Sequence, residues 1–123
     1  QAYIDRFAKV AGVEQQKFGI PASIKMAQGI LESHAGELPE TRATNNHFGM
    51  PMAGHAYNSA WENWRLHSEW MTRTDSPFAE LKTYGMNIKK WANGLQELNY
   101  SQDPAYAQKL LQIIDLYQLE QLQ

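Results

Sequence analysis

Apolar residues recur at intervals of three and four over most of this 123-residue chain, which is the spacing of a helix that buries one face. Residues 2–18 show the pattern first, and residues 60–72 show it again after a break. No segment shows a convincing alternation of single apolar and polar residues, the mark of a half-buried strand. The spacing predicts an all-α domain of about six helices with little or no β-structure.

Start and stop signals divide this pattern into six helices. Gly19 is a natural C-terminal stop, Ser59 and Glu62 form a capping box, and Asn87 can cap the helix that follows it. The predicted helices are residues 2–18, Pro21 to near Gly36, 60–72, Ser76 to Gly85, the segment capped by Asn87, and a last helix that begins at the cap Asp103-Pro104.

The apolar stripes of these helices predict the core. The residues expected to face inward are Ile4, Phe7, Ala8, Ala11, Ile24, Ala27, Leu31, Trp61, Trp64, Met71, Ile88, Trp91, Leu95, Leu98, Tyr106, Leu110, Ile113, Ile114 and Tyr117. The four tryptophans are also candidates for stacking on a sugar. At least two of them are expected in the core, because a domain of this size needs large side chains to fill it.

Residues 37–58 follow neither the helical nor the strand period. This segment contains two prolines, two glycines and three asparagines, which are residues typical of turns. It is predicted to form one long loop.

Composition excludes several classes of function. A net charge of −2 and a pI near 6.1 give no basic patch for nucleic acid. The absence of cysteine excludes disulfides and thiolate catalysis, and the four histidines lack the spacing of a metal site, so no metal or other cofactor is expected. No apolar run approaches the length of about 20 residues that a bilayer requires, so no membrane insertion is expected.

We expect residues 1–123 to form a single domain, because no linker, repeat or low-complexity segment interrupts them. Predicted helices lie close to both ends, so this domain is expected to be a piece of a longer protein. The chain starts at Gln1 without a basic-then-apolar leader, and any secretion signal therefore lies outside it.

Glu32 is the strongest candidate for chemistry. It ends a helix directly after Ile30 and Leu31, so its carboxyl group is expected to be partly desolvated and close to the negative end of the helix dipole. Both effects disfavour ionisation, and a carboxylic acid that stays protonated near neutral pH can act as a general acid. The alternative is an ordinary surface glutamate near a helix end.

Three separated motifs give the chain a family resemblance. They read GIPASIKMAQGILESHAG, then NNHFGM, and finally NYSQDPAYAQKLLQIIDLY. The chain thereby resembles the endo-β-N-acetylglucosaminidase family of bacterial cell-wall hydrolases, glycoside hydrolase family 73, which includes autolysins and the flagellar peptidoglycan hydrolase. Members of that family read Pro-Ala-Ser, Ala-Gln, Glu-Ser, Asn-x-Phe-Gly and Gly-Tyr-Ala-Thr-Asp-Pro-x-Tyr-Ala in the same order.

The resemblance implies a lysozyme-like helical fold and peptidoglycan glycan strands as substrate, cleaved at the β-1,4 bond on the reducing side of N-acetylglucosamine. It implies that Glu32 is the catalytic acid and that Tyr100 faces it. The substrate-binding residues that it implies are Asn46, Phe48, Gly49, Tyr57 and Tyr106. From the residues alone, Phe48 and Tyr106 are expected to be core aromatic side chains. Since peptidoglycan lies outside the cytoplasmic membrane, the resemblance also implies a periplasmic or secreted protein.

The chain departs from the family pattern after its second motif. Family members insert an acidic β-hairpin lobe there, whereas only residues 51–54 separate the two flanking motifs in this chain, and no Asp or Glu occurs between Thr41 and Trp61. The usual route of glycoside hydrolysis requires two carboxyl groups, so the second group is unassigned. Glu37 and Glu40 are close in sequence, but the family has Asn and Leu at these positions and aims neither at the bond.

Three alternatives follow from the missing lobe. The 2-acetamido group of the substrate supplies the nucleophile, with Tyr100 orienting it. Alternatively, a neighbouring domain or subunit completes the cleft. In the third alternative, the domain is a catalytically degenerate module that binds glycan or takes part in assembly of a cell-envelope machine.

Overall fold

The computed structural model describes residues 1–51 and 54–123. Within these ranges there are six α-helices and two 3₁₀ segments, and no strand. The helices are α1 (Ala2–Phe18), α2 (Ala22–Ser33), α3 (Pro39–Thr44), α4 (Ala60–Thr72), α5 (Ile88–Glu97) and α6 (Tyr106–Leu116), and the 3₁₀ segments are Ala79–Tyr84 and Leu119–Leu122. The predicted all-α class is confirmed.

Local sequence signals set several helix ends. Gly19 ends α1 in the left-handed region, with φ of 76°, where glycine has no steric penalty. At α4 the Glu62 N–H donates to Ser59 Oγ, and the Glu62 carboxylate accepts from the Asn58 N–H. Asn87 caps α5 by accepting from the Lys90 N–H. The predicted stop at Gly19 and the caps at Ser59 and Asn87 are confirmed. The predicted capping box is confirmed only in its first half, because the Glu62 carboxylate bonds the N–H of Asn58 and not that of Ser59.

Four predictions of element bounds are wrong. The predicted helix from Ser76 to Gly85 is a 3₁₀ segment that covers only Ala79–Tyr84. The predicted loop 37–58, of which residues 52 and 53 lie outside the described residues, contains α3, whose six residues begin at Pro39 and are too few to show a period. Helix α2 ends at Ser33 because His34 and Ala35 adopt positive φ. Asp103 accepts from the Ala105 N–H in a turn, and α6 starts only at Tyr106.

Helix α2 is the centre of the domain. Every residue from Ala22 to Gly29 is buried, because α1, α5, α6 and the Leu119–Leu122 segment all pack around it. Small residues permit this close packing: a Cβ at Gly29 would lie 2.7 Å from the Tyr3 hydroxyl oxygen. The predicted single stripe on this helix is therefore too narrow, since all its faces are covered up to the last turn.

The rest of the predicted core is largely buried. Trp64, Trp91, Tyr106 and Leu110 are at most 1% exposed, which confirms that at least two tryptophans are core. The predictions for three inward residues are wrong, since these side chains are substantially exposed: Trp61 (48%), Leu98 (41%) and Tyr117 (43%). Trp61 and Leu98 lie in the first and last turns of their predicted stripes, where the helix face turns away from the core.

No helix in the described part of the chain combines the length and apolarity needed to cross a membrane.

Candidate active site

Glu32 lies in a cleft of about 280 Å³ at the C-terminal end of α2. The cleft is lined by Glu32, Phe48, Gly49, Met50, Pro51, Trp70, Tyr100 and Ser101. The fold therefore brings an acid, three aromatic rings and a glycine loop together from four separate segments.

Burial raises the pKa of the Glu32 carboxyl group above its usual value of 4.5, and the nearby charge of His34 opposes this shift in part. The group is half-buried, so solvent and substrate still reach it. Its environment favours the protonated form, which is the form that donates a proton.

Tyr100 forms another wall of this cleft and is held from behind. Its hydroxyl oxygen lies 2.8 Å from His67 Nε2, and its ring stacks on Tyr106 with centroids 5.5 Å apart. Burial raises the pKa of the Tyr100 hydroxyl well above its usual value, and Tyr106 and the charge of Glu32 add to this effect. Tyr100 thus keeps a neutral hydroxyl group, held by His67, at the wall of the cleft that its side chain lines.

Gly49 brings the loop backbone close to the acid. Its φ is +71°, and a Cβ at this position would lie 3.9 Å from Glu32 Oε2. A longer side chain would extend towards the carboxylate, and any side chain would be strained in this left-handed conformation. Gly49 is therefore suited both to the turn and to the open space in front of Glu32.

Asn46 holds the shape of this loop. Its side-chain Nδ2 donates to the carbonyls of Met50 (3.2 Å) and His55 (3.1 Å), and its Oδ1 accepts from the Gly49 N–H (2.9 Å). Since Asn46 is only 5% exposed, its role in this structure is to position the loop.

The other predicted substrate-binding residues differ in their exposure to the cleft. Phe48 lines it but is 4% exposed and stacks on His67, with centroids 3.9 Å apart. The Tyr57 hydroxyl donates to the Met50 carbonyl at 2.7 Å and so fastens the loop. Tyr106 is 1% exposed and lies behind Tyr100. The structure brings neither Tyr57 nor Tyr106 to the surface of the cleft.

A second, smaller cavity of about 80 Å³ shares Glu32 and Gly49 with the cleft. Its remaining lining residues are Leu38, Glu40, Thr41 and Asn46. Glu40 is exposed and is placed there by α3, the helix that the sequence did not predict. It is the second carboxylate among the residues that line these two cavities.

Sequence reasoning named Trp70 only as one of four tryptophans that could stack on a sugar, and it did not assign Lys25 or His67 to the site. Trp70 lies in the last turns of α4 and lines the cleft beside Tyr100, with ring centroids 6.1 Å apart. Lys25 and His67 are fully buried behind Tyr100. A lysine between Ile24 and Met26, in a stretch whose neighbours are mostly small or apolar, was the available signal for a buried polar partner.

Within the described ranges, no group of three or more His, Asp or Glu side chains is arranged to hold a metal ion.

Comparison with known proteins assigns the family. The family model described as glucosaminidase, mannosyl-glycoprotein endo-beta-N-acetylglucosaminidase, matches residues 8–119. The chain belongs to the glucosaminidase family. Both Glu32 and Tyr100 lie inside the matched region, and the resemblance inferred from the three motifs is confirmed. The domain is thereby a member of the glycoside hydrolases.

A curated relative is exo-glucosaminidase LytG of Bacillus subtilis (strain 168), which is 26% identical over 152 residues. The alignment covers 98% of this chain and 52% of LytG, so the chain spans about half the length of that protein. Since the alignment is 152 residues long and the chain has 123, at least 29 aligned positions have no residue in this chain.

Two solved structures share the fold. The catalytic domain of the autolysin Auto from Listeria monocytogenes superposes with a TM-score of 0.87 at 23% identity, over 100% of this chain and 86% of that chain. An N-acetylmuramoyl-L-alanine amidase from Staphylococcus aureus gives the same TM-score at 26% identity, over 98% of this chain and 42% of that chain. The predicted lysozyme-like helical fold is confirmed.

Proposed function

We propose that this domain hydrolyses the glycan strands of peptidoglycan at the β-1,4 bond on the reducing side of N-acetylglucosamine, with Glu32 as general acid. The observation that carries the proposal is the half-buried Glu32, whose pKa is raised by burial and which lies in a cleft that Tyr100 also lines. The family assignment provides the reaction class. Consistent with this substrate, the protein would act in the periplasm or outside the cell.

Glu32 would transfer its proton to the glycosidic oxygen as the bond from this oxygen to C1 breaks. Glu32 is the one carboxyl group among the residues lining the larger cleft, so a sugar bound there meets an acid but no second carboxylate. The carbonyl oxygen of the 2-acetamido group of the sugar can attack C1 in its place and form a cyclic oxazolinium ion. Water then adds to C1 and returns a proton to Glu32, with net retention of configuration.

In this route Tyr100 orients the acetamido group by a hydrogen bond. Trp70 provides an aromatic face beside it, on which the apolar face of a sugar ring can pack. The short span of residues 51–54 between the two flanking motifs supports a cleft without the acidic lobe. A neighbouring domain or subunit would complete the open side of this cleft for a long glycan strand.

The test is product analysis. Purified peptidoglycan is incubated with the wild-type domain or with Glu32→Gln, reduced with borohydride, and examined by mass spectrometry. Reduced N-acetylglucosamine ends released by the wild type alone are expected. Reduced N-acetylmuramic acid ends would contradict the proposed bond, and no release with retained glycan binding would favour a non-catalytic glycan-binding module.

Glu40 provides a second test of the mechanism. In the acetamido route, Glu40→Gln is expected to keep kcat within about threefold of the wild type, because Glu40 takes no part in the bond changes. The alternative is that Glu40 activates a water from the smaller cavity, which predicts inversion and a loss of about 10²-fold or more. NMR of freshly released products distinguishes the two anomers, and the rate of Glu40→Gln provides the independent measurement.

A further inference from the structure

A line of three hydrogen-bonding side chains runs from the core to the cleft. Lys25 Nζ lies 2.7 Å from His67 Nδ1, and His67 Nε2 lies 2.8 Å from the Tyr100 hydroxyl oxygen. Lys25 and His67 are 0% exposed, whereas Tyr100 reaches the cleft. The reaction outlined above uses only Tyr100, so the two buried groups behind it have no role in that scheme.

The amino group of Lys25 is surrounded mainly by aromatic rings, so few hydrogen-bond partners are within its reach. Its Nζ lies over the rings of Phe48 (4.4 Å) and Trp64 (5.3 Å), and His67 is its one hydrogen-bond partner among the described residues. Phe48 also stacks on the His67 ring, with planes 8° apart, and so fixes the direction in which both ring nitrogens point. The geometry therefore holds the lysine against Nδ1 and Tyr100 against Nε2.

The positions of the protons follow once the donor to His67 Nδ1 is chosen. Burial lowers the pKa of Lys25 well below its usual value, yet its amino group has N–H donors whether charged or neutral. In the arrangement inferred here one of these N–H groups donates to His67 Nδ1, which then carries no proton. Burial lowers the pKa of His67 well below its usual value, as does the neighbouring Lys25, so the ring is neutral. Its single proton is then on Nε2 and is donated to the Tyr100 oxygen. The hydroxyl proton of Tyr100 then points away from His67, and the proposal directs it towards the cleft that the Tyr100 side chain lines.

We propose that Lys25 and His67 are positioning residues that fix Tyr100 as a hydrogen-bond donor to the acetamido group of a bound N-acetylglucosamine unit. The identity of this acceptor rests on the proposed function, whereas the direction of the hydrogen bonds does not. A donor that is already aimed at the substrate needs no reorganisation during the reaction.

The first experiment determines, without substrate, which ring nitrogen of His67 carries the proton. In the wild type, ¹⁵N NMR of the imidazole ring is expected to show His67 with Nε2 protonated and Nδ1 unprotonated. Lys25→Met keeps the length of the side chain but has no N–H, and it is expected to add the Nδ1-protonated form. A protonated Nδ1 in the wild type would overturn the proposal, whether or not the domain is active.

The second experiment measures kcat and KM on peptidoglycan, and the affinity for N,N′-diacetylchitobiose. Lys25→Met is expected to lower kcat about tenfold, the value of one hydrogen bond, and to do so only when Tyr100 is present. In a Tyr100→Phe background the same change should have no further effect. Equal losses in both backgrounds would overturn the proposal, because a merely structural role predicts that result. If the wild type does not cleave, the chitobiose affinities of the same four proteins make this comparison, and that failure counts against the proposed function alone.

Discussion

Glu32→Gln is expected to lower kcat for peptidoglycan cleavage by about 10²- to 10⁴-fold, the usual contribution of a general acid. Glutamine keeps the size of the side chain but cannot release a proton to the glycosidic oxygen. Glu37→Gln is the matched control, since Glu37 is exposed and lines neither cavity that contains Glu32. Rates measured by release of reducing ends should separate the two variants. Activity of Glu32→Gln within tenfold of the wild type would remove Glu32 from this role.

The raised pKa of Glu32 determines the direction in which activity changes with pH. Because the pKa of Glu32 is raised, its proton is retained to a higher pH than in an ordinary glutamate, and kcat/KM should fall as the pH rises through that pKa. The same shift affects stability. A carboxyl group with a raised pKa in the folded state contributes stability at low pH, and this contribution is lost as the pH rises through the folded-state pKa. Glu32→Gln should therefore unfold at a higher temperature than the wild type at neutral pH, and this difference should shrink in acid.

The second large effect is expected from Arg65→Met, which should lower the free energy of unfolding by about 2 to 4 kcal/mol. Glu14 on α1 is 0% exposed, and Arg65 on α4 donates to both of its carboxylate oxygens, with Nε at 3.2 and 3.1 Å and a terminal nitrogen at 3.0 Å. Removing Arg65 leaves a buried carboxylate without its ion pair. The expected loss of unfolding free energy is smaller than for a fully buried ion pair because the Arg65 side chain is 38% exposed.

Urea denaturation of two further variants tests this explanation. Arg73→Met removes an ion pair with Asp75 in which both side chains are exposed, so a change below about 0.5 kcal/mol is expected. The double variant Glu14→Leu with Arg65→Met removes the buried charge together with its partner and should recover most of the loss. If the double variant is as unstable as Arg65→Met, lost packing of the arginine is responsible instead.

The parts of the fold that were predicted correctly depend on local chemistry. Gly19, Ser59 and Asn87 set helix ends through contacts within three or four residues of themselves, so the sequence alone contains the information. Helix α3 was missed because six residues make less than two turns and Pro39 is equally common in loops. Trp61 was predicted to face inward because its position fits a helical stripe, which does not show where the covering helices end.

The residues of the candidate site also divide into those that local sequence features or family motifs indicate and those that only tertiary packing brings together. Glu32 was found from its own helix, since a carboxyl group directly after an apolar run is a local feature, and the family motifs pointed to Tyr100. Lys25 and His67 are 42 positions apart, and their hydrogen bond exists only because α2 and α4 bring them together. Glu40 enters the smaller cavity through the unpredicted α3. These contacts depend on tertiary packing, which one sequence does not determine by inspection.

The complete burial of α2 has a consequence for how its amide protons exchange with solvent. The backbone of residues 22–29 is covered on all sides, so its N–H groups can exchange only when much of the domain unfolds. The opposite rim of the cleft, residues 45–51, lies outside the helices and is held by side-chain hydrogen bonds of Asn46, Tyr57 and Asn63 and by the buried ring of Phe48. The amides of the helix that carries Glu32 should therefore exchange more slowly than those of the loop that faces it across the cleft.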